Sequence, residues 1–276
     1  MQHSVIAIIG AGNIGRCLIS GLVSNGYPCD KLWACGPSSE KLNALEDEFQ
    51  IRTTTDNAKA VELADVVIFA IKPLLFSTVA QQLAKKILFR KALIISVVAG
   101  ARESDIQKWI GTQTPIIRAM PNTPAIIGSG ATALFANALA DQTQKNIAES
   151  IFRGVGLTVW LQEEALLDTV TALSGSGPAY FFFIMETLQN AAIEQGLSPD
   201  IARLLTLQTG LGAARLAIES GKSLAELRRL VTSPGGTTEQ AISVLENEGV
   251  QQAFKKALLA AKARATELGI GEKKDV

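Results

Sequence analysis

The sequence predicts an α/β protein in which an N-terminal domain built on a parallel sheet is followed by an all-helical domain. Three observations carry that prediction. From Ser4 to about Trp160, short β-branched runs alternate with helical stretches, the pattern that builds parallel sheets through right-handed crossovers. A glycine cluster, Gly10-Ala11-Gly12-Asn13-Ile14-Gly15, follows the first of these runs directly. After Trp160 the chain becomes rich in Ala, Leu, Glu, Gln and Lys and reads as successive helices. A length of 276 residues suits two domains, at about 150 residues each. The boundary is expected at residue 161, giving domains 1–161 and 162–276.

The expected strands are Val5 to Ile9, Leu32 to Cys35, Val66 to Ala70, Leu93 to Val97 and Ile116 to Ala119. Each of the first four leads into a loop of small or turn residues, where ligands sit in an open α/β sheet. In the second domain no strand is expected. Its helices are punctuated at Ser174 to Pro178, Gly196 to Pro199, Ser220 to Lys222, Ser233 to Gly236 and Glu248 to Gly249. Helices such as Ala179 to Gln195 and Ile201 to Ser220 are apolar around much of their circumference, more than an exposed amphipathic helix needs. They are expected to be buried against a second subunit.

Composition removes several classes of function. Hydrophobic residues at 47%, charged residues at 19% and aromatics at 5% describe a globular chain, with any disorder confined to the tail from Gly271 to Val276. The 26 basic residues balance the 26 acidic ones, so nothing in the overall charge points to nucleic acid or an anionic membrane. Val5 to Ile9 has no basic region before it, and Ala92 to Ala101 contains Ser96 and is too short to span a bilayer. A mature cytoplasmic protein is expected. Cys17, Cys29 and Cys35 have neither disulfide nor zinc spacing and read as small core residues. The single histidine, His3, lies before the first strand, so the chemistry must run without one.

The glycine cluster sits between the strand Val5 to Ile9 and the helical stretch Ile14 to Ser24. In that setting Gly10 makes the tight turn, Gly12 lets a pyrophosphate approach the backbone, and Gly15 lets helix and strand pack closely, with Ala11, Asn13 and Ile14 completing the turn. The helix N-terminus adds free amides and partial positive charge. This is the dinucleotide-binding, or Rossmann-type, arrangement. An acid at the end of the second strand would bind a ribose 2′-hydroxyl and repel a 2′-phosphate. Here that end reads Gly36-Pro37-Ser38-Ser39-Glu40-Lys41, while Asp30 precedes the strand and lies at the wrong edge. The missing acid favours NADP. Ser38 and Ser39 either hold the phosphate or cap the next helix. Asn57, after Thr55-Asp56, either caps a helix or touches the adenosine. Ala70-Ile71-Lys72-Pro73 leaves an internal strand at the ligand-facing edge, although Lys72 could equally be a solvated surface lysine.

Three further segments resemble the pyrroline-5-carboxylate reductase family: Arg118-Ala119-Met120-Pro121-Asn122-Thr123-Pro124, Ser174-Gly175-Ser176-Gly177-Pro178-Ala179-Tyr180, and Leu230-Val231-Thr232-Ser233-Pro234-Gly235-Gly236-Thr237-Thr238. With the glycine cluster and Ala70-Ile71-Lys72-Pro73 they appear in the family's order across nearly the whole chain. The Ser-Pro-Gly-Gly-x-Thr segment is the specific signal; the others are shared with wider NADP-dependent dehydrogenases. The resemblance implies a Rossmann-type domain followed by an all-helical dimerisation domain, in a homodimer with shared active sites or a larger homo-oligomer. It implies reduction of L-1-pyrroline-5-carboxylate to L-proline, the last step of proline biosynthesis, with NADPH and more weakly NADH. The loop Ser233 to Thr238 would receive the substrate carboxylate; Ser176, counted with the substrate contacts, would with Gly177 face the nicotinamide or else cap a helix. Lys72 and Pro73 would border the nicotinamide, and Ala99 and Asn122 would complete the cofactor contacts. One departure is Ser220-Gly221-Lys222-Ser223-Leu224, which lacks the acidic and His-Pro residues often found there in relatives.

Read for itself, Ser233 to Thr238 is either an ordinary helix–helix turn or an anion receptor. After Pro234, Gly235 and Gly236 expose backbone amides just before the helical stretch Thr237 to Glu246, and two threonine hydroxyls adjoin them. Hydride transfer to a ketone needs a proton donor, commonly His or Lys. A cyclic imine can arrive protonated on nitrogen, so positioning and one hydrogen-bonding group suffice. Thr238 is expected to hydrogen-bond the ring nitrogen, with Ser233, Gly235, Gly236 and Thr237 around the carboxylate. The competing readings are another NADP-dependent imine reductase or a β-hydroxyacid-type dehydrogenase with Lys72 as its acid–base group, and a non-catalytic NADP-binding sensor. No metal is expected.

Overall fold

The computed structural model describes residues 4–271, with side chains described as far as residue 268. The expectations for His3 and for the tail beyond Gly271 lie outside the described residues. The chain forms two compact units: residues up to Ser176 together with those from Ala261, and Gly177–Ala260.

In the first unit eight strands form one sheet: β1 (Ile6–Ile9), β2 (Leu32–Cys35), β3 (Arg52–Thr54), β4 (Val66–Phe69), β5 (Leu93–Ser96), β6 (Ile116–Met120), β7 (Gly130–Ala136) and β8 (Gly156–Trp160), in the order β3-β2-β1-β4-β5-β6-β7-β8. All pairs are parallel except β6 with β7. The helices between them are α1 (Asn13–Ser24), α2 (Ser39–Phe49), α3 (Asn57–Val61), α4 (Pro73–Arg90), α5 (Glu103–Ile110) and α6 (Gln142–Arg153). Then come α7 (Leu166–Val170), α8 (Gly177–Glu194), α9 (Pro199–Glu219), α10 (Leu224–Leu230), α11 (Thr237–Asn247) and α12 (Val250–Gly271).

The expected strands are all present, because a parallel sheet covered on both faces needs continuous apolar runs. Along β1, Ile6 and Ile8 pack with α1, α2 and α6 through Leu18, Leu42 and Phe152, whereas Ala7 and Ile9 pack with α3, α4 and α5 through Val61, Phe76 and Ile106. Phe76 also stacks against Phe69 and Trp109, with ring centroids 4.7 and 5.2 Å apart. Register aligns Cys35, Ile9, Phe69 and Ser96 at one edge of the sheet. The loops that leave this edge carry the glycine turn and its neighbours.

Three strands lie beyond those expected. β3 is a short polar edge strand, Arg-Thr-Thr. β7 is built largely of small residues and runs antiparallel to β6. β8, at the other edge, alternates half-buried Gly156, Thr158 and Trp160 with exposed Leu157 and Val159. β3 and β8 lack the bilateral burial that marks an internal parallel strand, whereas β7 is buried on both faces at Thr132–Leu134 and escapes notice because glycine and alanine dominate it.

Behind β6 lies a buried ion cluster. Arg118, only 2% exposed, donates to Glu164 at 2.8 Å, and Glu164 also accepts from the Glu103 amide at 2.6 Å. Arg102 pairs with Asp168 at 2.5 Å, which also accepts from the Thr266 hydroxyl at 2.9 Å. Burial lowers the Arg118 pKa, and the Glu164 carboxylate opposes that shift. The cluster anchors α7 and the end of α12 to the sheet, and it leaves Arg118 Nε without a partner among the described residues.

The second unit is wholly helical. Its long helices α8 and α9 pack on one another. Within a single chain they leave Phe182, Phe183 and Leu204 between 63% and 68% exposed and Ile218 84% exposed. One chain therefore does not cover the apolar surface that the sequence places on these helices. Among the described residues no strand follows Trp160, and no helix is long and apolar enough to cross a membrane.

Candidate active site

The strand order reverses between β1 and β4, which opens a crevice at their C-terminal ends. The three glycines at its rim have different structural reasons. Gly10 has φ +122°, and a Cβ there would lie 2.2 Å from the Ala70 carbonyl oxygen; a Cβ on Gly15 would lie 2.1 Å from the Gly10 oxygen. Gly12 instead faces open space. It is the N-cap residue of α1, without a side-chain cap and without an acid in the first turn. The first intrahelical bond runs from Arg16 N–H to the Gly12 carbonyl at 2.9 Å. The amides of Asn13, Ile14 and Gly15 precede it and have no partner within the helix. Gly10 and Gly15 close the turn, and Gly12 keeps it open for a phosphate-sized anion.

Beyond β2, Gly36 is buried, Pro37 and Ser39 are exposed and Ser38 is half-buried. The Ser38 hydroxyl accepts from the Lys41 amide at 3.4 Å, a long capping bond at the start of α2. Asp30 lies in a short turn before β2, at the opposite end of that strand. Asp56, not Asn57, caps α3, accepting from the Ala58 amide at 2.9 Å. Asn57 opens the helix, with its side-chain oxygen buried and unpaired among the described residues. An orphaned buried acceptor is costly, so Asn57 suits a ligand hydroxyl or amino donor. These residues fit a dinucleotide.

After β4, the Ala70 amide bonds the Ile9 carbonyl at 2.8 Å, and Ile71 lies against the Gly10 turn. Lys72 is exposed at the N-cap of α4, with Pro73 at the first helical position. After β5, Ala99 is half-buried and packs beside Met120 and Leu167. Asn122, past the end of β6, uses both ends of its amide within the fold, donating to the Ser174 carbonyl at 3.1 Å and accepting from the Ala131 amide at 2.8 Å. It thereby ties down a π-helical turn, Thr171–Gly175, closed by the Ser176 amide on the Thr171 carbonyl at 2.8 Å. Such π-turns recur at functional sites. Ser176 itself is half-buried.

The loop 233–238 belongs to the second unit. Gly235 has φ +71°, the Gly236 amide donates to the Ser233 carbonyl at 3.0 Å, and Gly236 is the N-cap of α11 without a side-chain cap. Ser233, Pro234 and Thr237 are exposed, while Thr238 is half-buried. A residue that the sequence reading missed completes the loop: Glu239 accepts from the Gly235 amide at 2.7 Å. Its signal was available in part, since an acid at the third helical position commonly reaches back to the cap; here it passes Gly236 and takes the amide of the residue before it. In the turn that departs from the family pattern, Ser223 and Glu226 form a capping box, and the hydroxyl and amide of Ser223 hold the Glu226 carboxyl below its usual pKa.

A mostly parallel sheet with this strand order, carrying a three-glycine turn into an uncapped helix, defines a Rossmann-type dinucleotide-binding protein. Two family models match the chain: "NADP oxidoreductase coenzyme F420-dependent" over residues 5–100 and "Pyrroline-5-carboxylate reductase dimerisation" over residues 164–268. A pyrroline-5-carboxylate reductase of Pseudomonas aeruginosa is 44% identical over 97% of this chain and 98% of its own. The structure of the Coxiella burnetii pyrroline-5-carboxylate reductase superposes with a TM-score of 0.92 at 48% identity, covering 96% of this chain and 98% of that one. A Plasmodium falciparum pyrroline carboxylate reductase structure with NADP bound has a TM-score of 0.88 at 26% identity, covering 98% and 99%. The chain belongs to the pyrroline-5-carboxylate reductase family.

Proposed function

We propose that this protein reduces L-1-pyrroline-5-carboxylate to L-proline with NADPH, as a homo-oligomer in the cytoplasm. The observation that carries the reading is the presence in one chain of two uncapped, glycine-opened helix N-termini. The first, at Gly12, suits a pyrophosphate, and the second, at Gly236, suits a carboxylate.

In this reading residues 10–15 cradle the pyrophosphate on the α1 amides. Gly36, Pro37, Ser38 and Ser39 receive the adenosine ribose and its 2′-phosphate, with no acid at the end of β2 to repel it. Asn57 offers its unpaired oxygen to the adenosine. Ala70, Ile71, Lys72, Pro73, Ala99 and Asn122 line the sheet edge toward the nicotinamide, with Asn122 acting through the turn that carries Ser176. Bound NADPH supplies the hydride. Ser233 and Thr237 hold the carboxylate, with Gly235 and Gly236, whose own amides are engaged within the loop, shaping the turn around it, and the Thr238 hydroxyl holds the ring nitrogen and its proton. A protonated imine needs no histidine.

We assign cofactor binding to residues 1–161 and dimerisation to 162–276, a division supported by the dimerisation model's start at residue 164. The uncovered apolar faces of α8 and α9 support an assembly in which two chains share their active sites. The test is consumption of NADPH and of NADH with the imine, each followed by absorbance. Faster imine-dependent oxidation of NADPH is expected. Faster NADH would overturn the reading of residues 36–39, and no oxidation of either would overturn the function.

A further inference from the structure

We propose that Glu239 is a positioning residue of the substrate loop. It occupies the Gly235 amide and so leaves the substrate carboxylate to the amides of Thr237 and Thr238 and the neighbouring hydroxyls. The proposal rests on reading 233–238 as the carboxylate receptor.

Four observations within one turn of chain carry it. The Gly235 amide donates to Glu239 Oε2 at 2.7 Å, the length of a charge-assisted bond. The Gly236 amide donates to the Ser233 carbonyl at 3.0 Å. Both glycine amides are thus engaged inside the chain, although a glycine-rich loop suggests that they face the anion. The first bond of α11 runs from the Gln240 amide to the Gly236 carbonyl at 3.3 Å, so the amides of Thr237, Thr238 and Glu239 are the helix donors that precede it. Finally, Gly235 sits at φ +71°, a conformation open to many alternatives in the unbound loop. The carboxylate three residues into α11 pins that turn from the C-terminal side.

Glu239 carries the same charge as the group the loop is read to receive. Its role is therefore to organise the receptor and not to bind the ligand. Removing the charge while keeping an acceptor should be harmless, whereas removing the acceptor should loosen the loop. Glu239→Gln retains an amide oxygen for the Gly235 N–H; Glu239→Ala has none; Glu239→Asp keeps the charge but is one methylene too short to hold the same bond.

The experiment is steady-state kinetics of the full-length enzyme, varying the imine at saturating NADPH and NADPH at saturating imine. For Glu239→Ala the KM for the imine should rise about tenfold, with the KM for NADPH within about twofold of wild type. Glu239→Gln should restore the imine KM to within about threefold. Glu239→Asp should behave like Ala, which keeps the test available if the alanine variant fails to fold. An unchanged imine KM in Glu239→Ala or Asp would overturn the proposal. So would a lowered KM in both Ala and Gln, the mark of a carboxylate that competes with substrate, or a Gln variant as impaired as Ala. A wild-type enzyme that does not turn over the imine would overturn the functional reading itself, and the proposal with it.

Discussion

If Asn57 holds the cofactor and Thr238 the ring nitrogen, as proposed, removing each side chain should separate cofactor binding from chemistry. Truncating Asn57 to Ala deletes a buried oxygen that nothing among the described residues satisfies. The apoprotein should therefore melt at or above the wild-type temperature, while the Kd for NADPH rises about tenfold. Calorimetry and cofactor titration check the two arms; a lower melting temperature with unchanged Kd would make Asn57 structural. Thr238→Ala should lower turnover about a hundredfold, the low end of what a positioned proton-handling group contributes, with the NADPH Kd unchanged. An equal loss in both would remove Thr238 from the chemistry. At this scale the glycine turn was legible because Gly10 and Gly15 answer to steric contacts of 2.2 and 2.1 Å and Gly12 to open space, as the spacing implied. Two assignments were not legible. Which of Asp56 and Asn57 caps α3 depends on backbone geometry at Asp56, where φ is −96° and ψ 98°. The engagement of Asn122 with Ser174 spans 52 residues of sequence, and no local pattern announces it.

At the scale of elements, legibility followed burial. Strands covered on both faces, such as β1 and β4, were written as uninterrupted apolar runs and were found within a residue of their ends. The edge strand β3, with exposed Arg52, and the alternating β8 were not, because half-exposed strands share their composition with loops. The buried ion cluster is the element-level feature with the largest expected consequence. Glu164 keeps about a quarter of its side chain exposed, so losing Arg118 leaves a partly solvated acid and not a fully buried one. Arg118→Met should cost about 2 kcal/mol, below the full penalty for breaking a buried pair, and lower Tm by about 4–8 °C. Thermal melts of Arg118→Met and of Arg118→Met/Glu164→Gln check it. The double variant should recover part of the loss, and identical melts for wild type and Arg118→Met would show that the cluster contributes nothing to stability.

For the whole molecule, burial predicts an alkaline limit to stability. Cys35 is fully buried at the end of β2 and its thiol is pushed up to about 12 from 9.0, mainly by burial. The Tyr27 hydroxyl is likewise raised to about 12 from 10.0. In the unfolded chain both groups lose their protons first. Above pH 9 the unfolded state therefore binds fewer protons than the folded one, and stability falls as pH rises. The stabilisation is whole below pH 9 and is lost toward pH 12, with a limiting slope of about 1.4 kcal/mol per pH unit for the thiol. Denaturant midpoints between these values should decline, and less steeply in Cys35→Ala; parallel curves would contradict the assignment. A sheet followed by helices was also legible at this scale, because composition changes sharply after Trp160; the compact units divide instead after Ser176, and the chain from Ala261 returns to the first. Hydride delivery to a cyclic imine carbon can be followed by incubating the enzyme with L-1-pyrroline-5-carboxylate and NADPH deuterated at the transferable C4 position, and reading the product by NMR. L-Proline with deuterium on the ring carbon beside nitrogen, opposite the carboxylate-bearing carbon, is expected; proline without the label, or no proline, would overturn the proposed reaction.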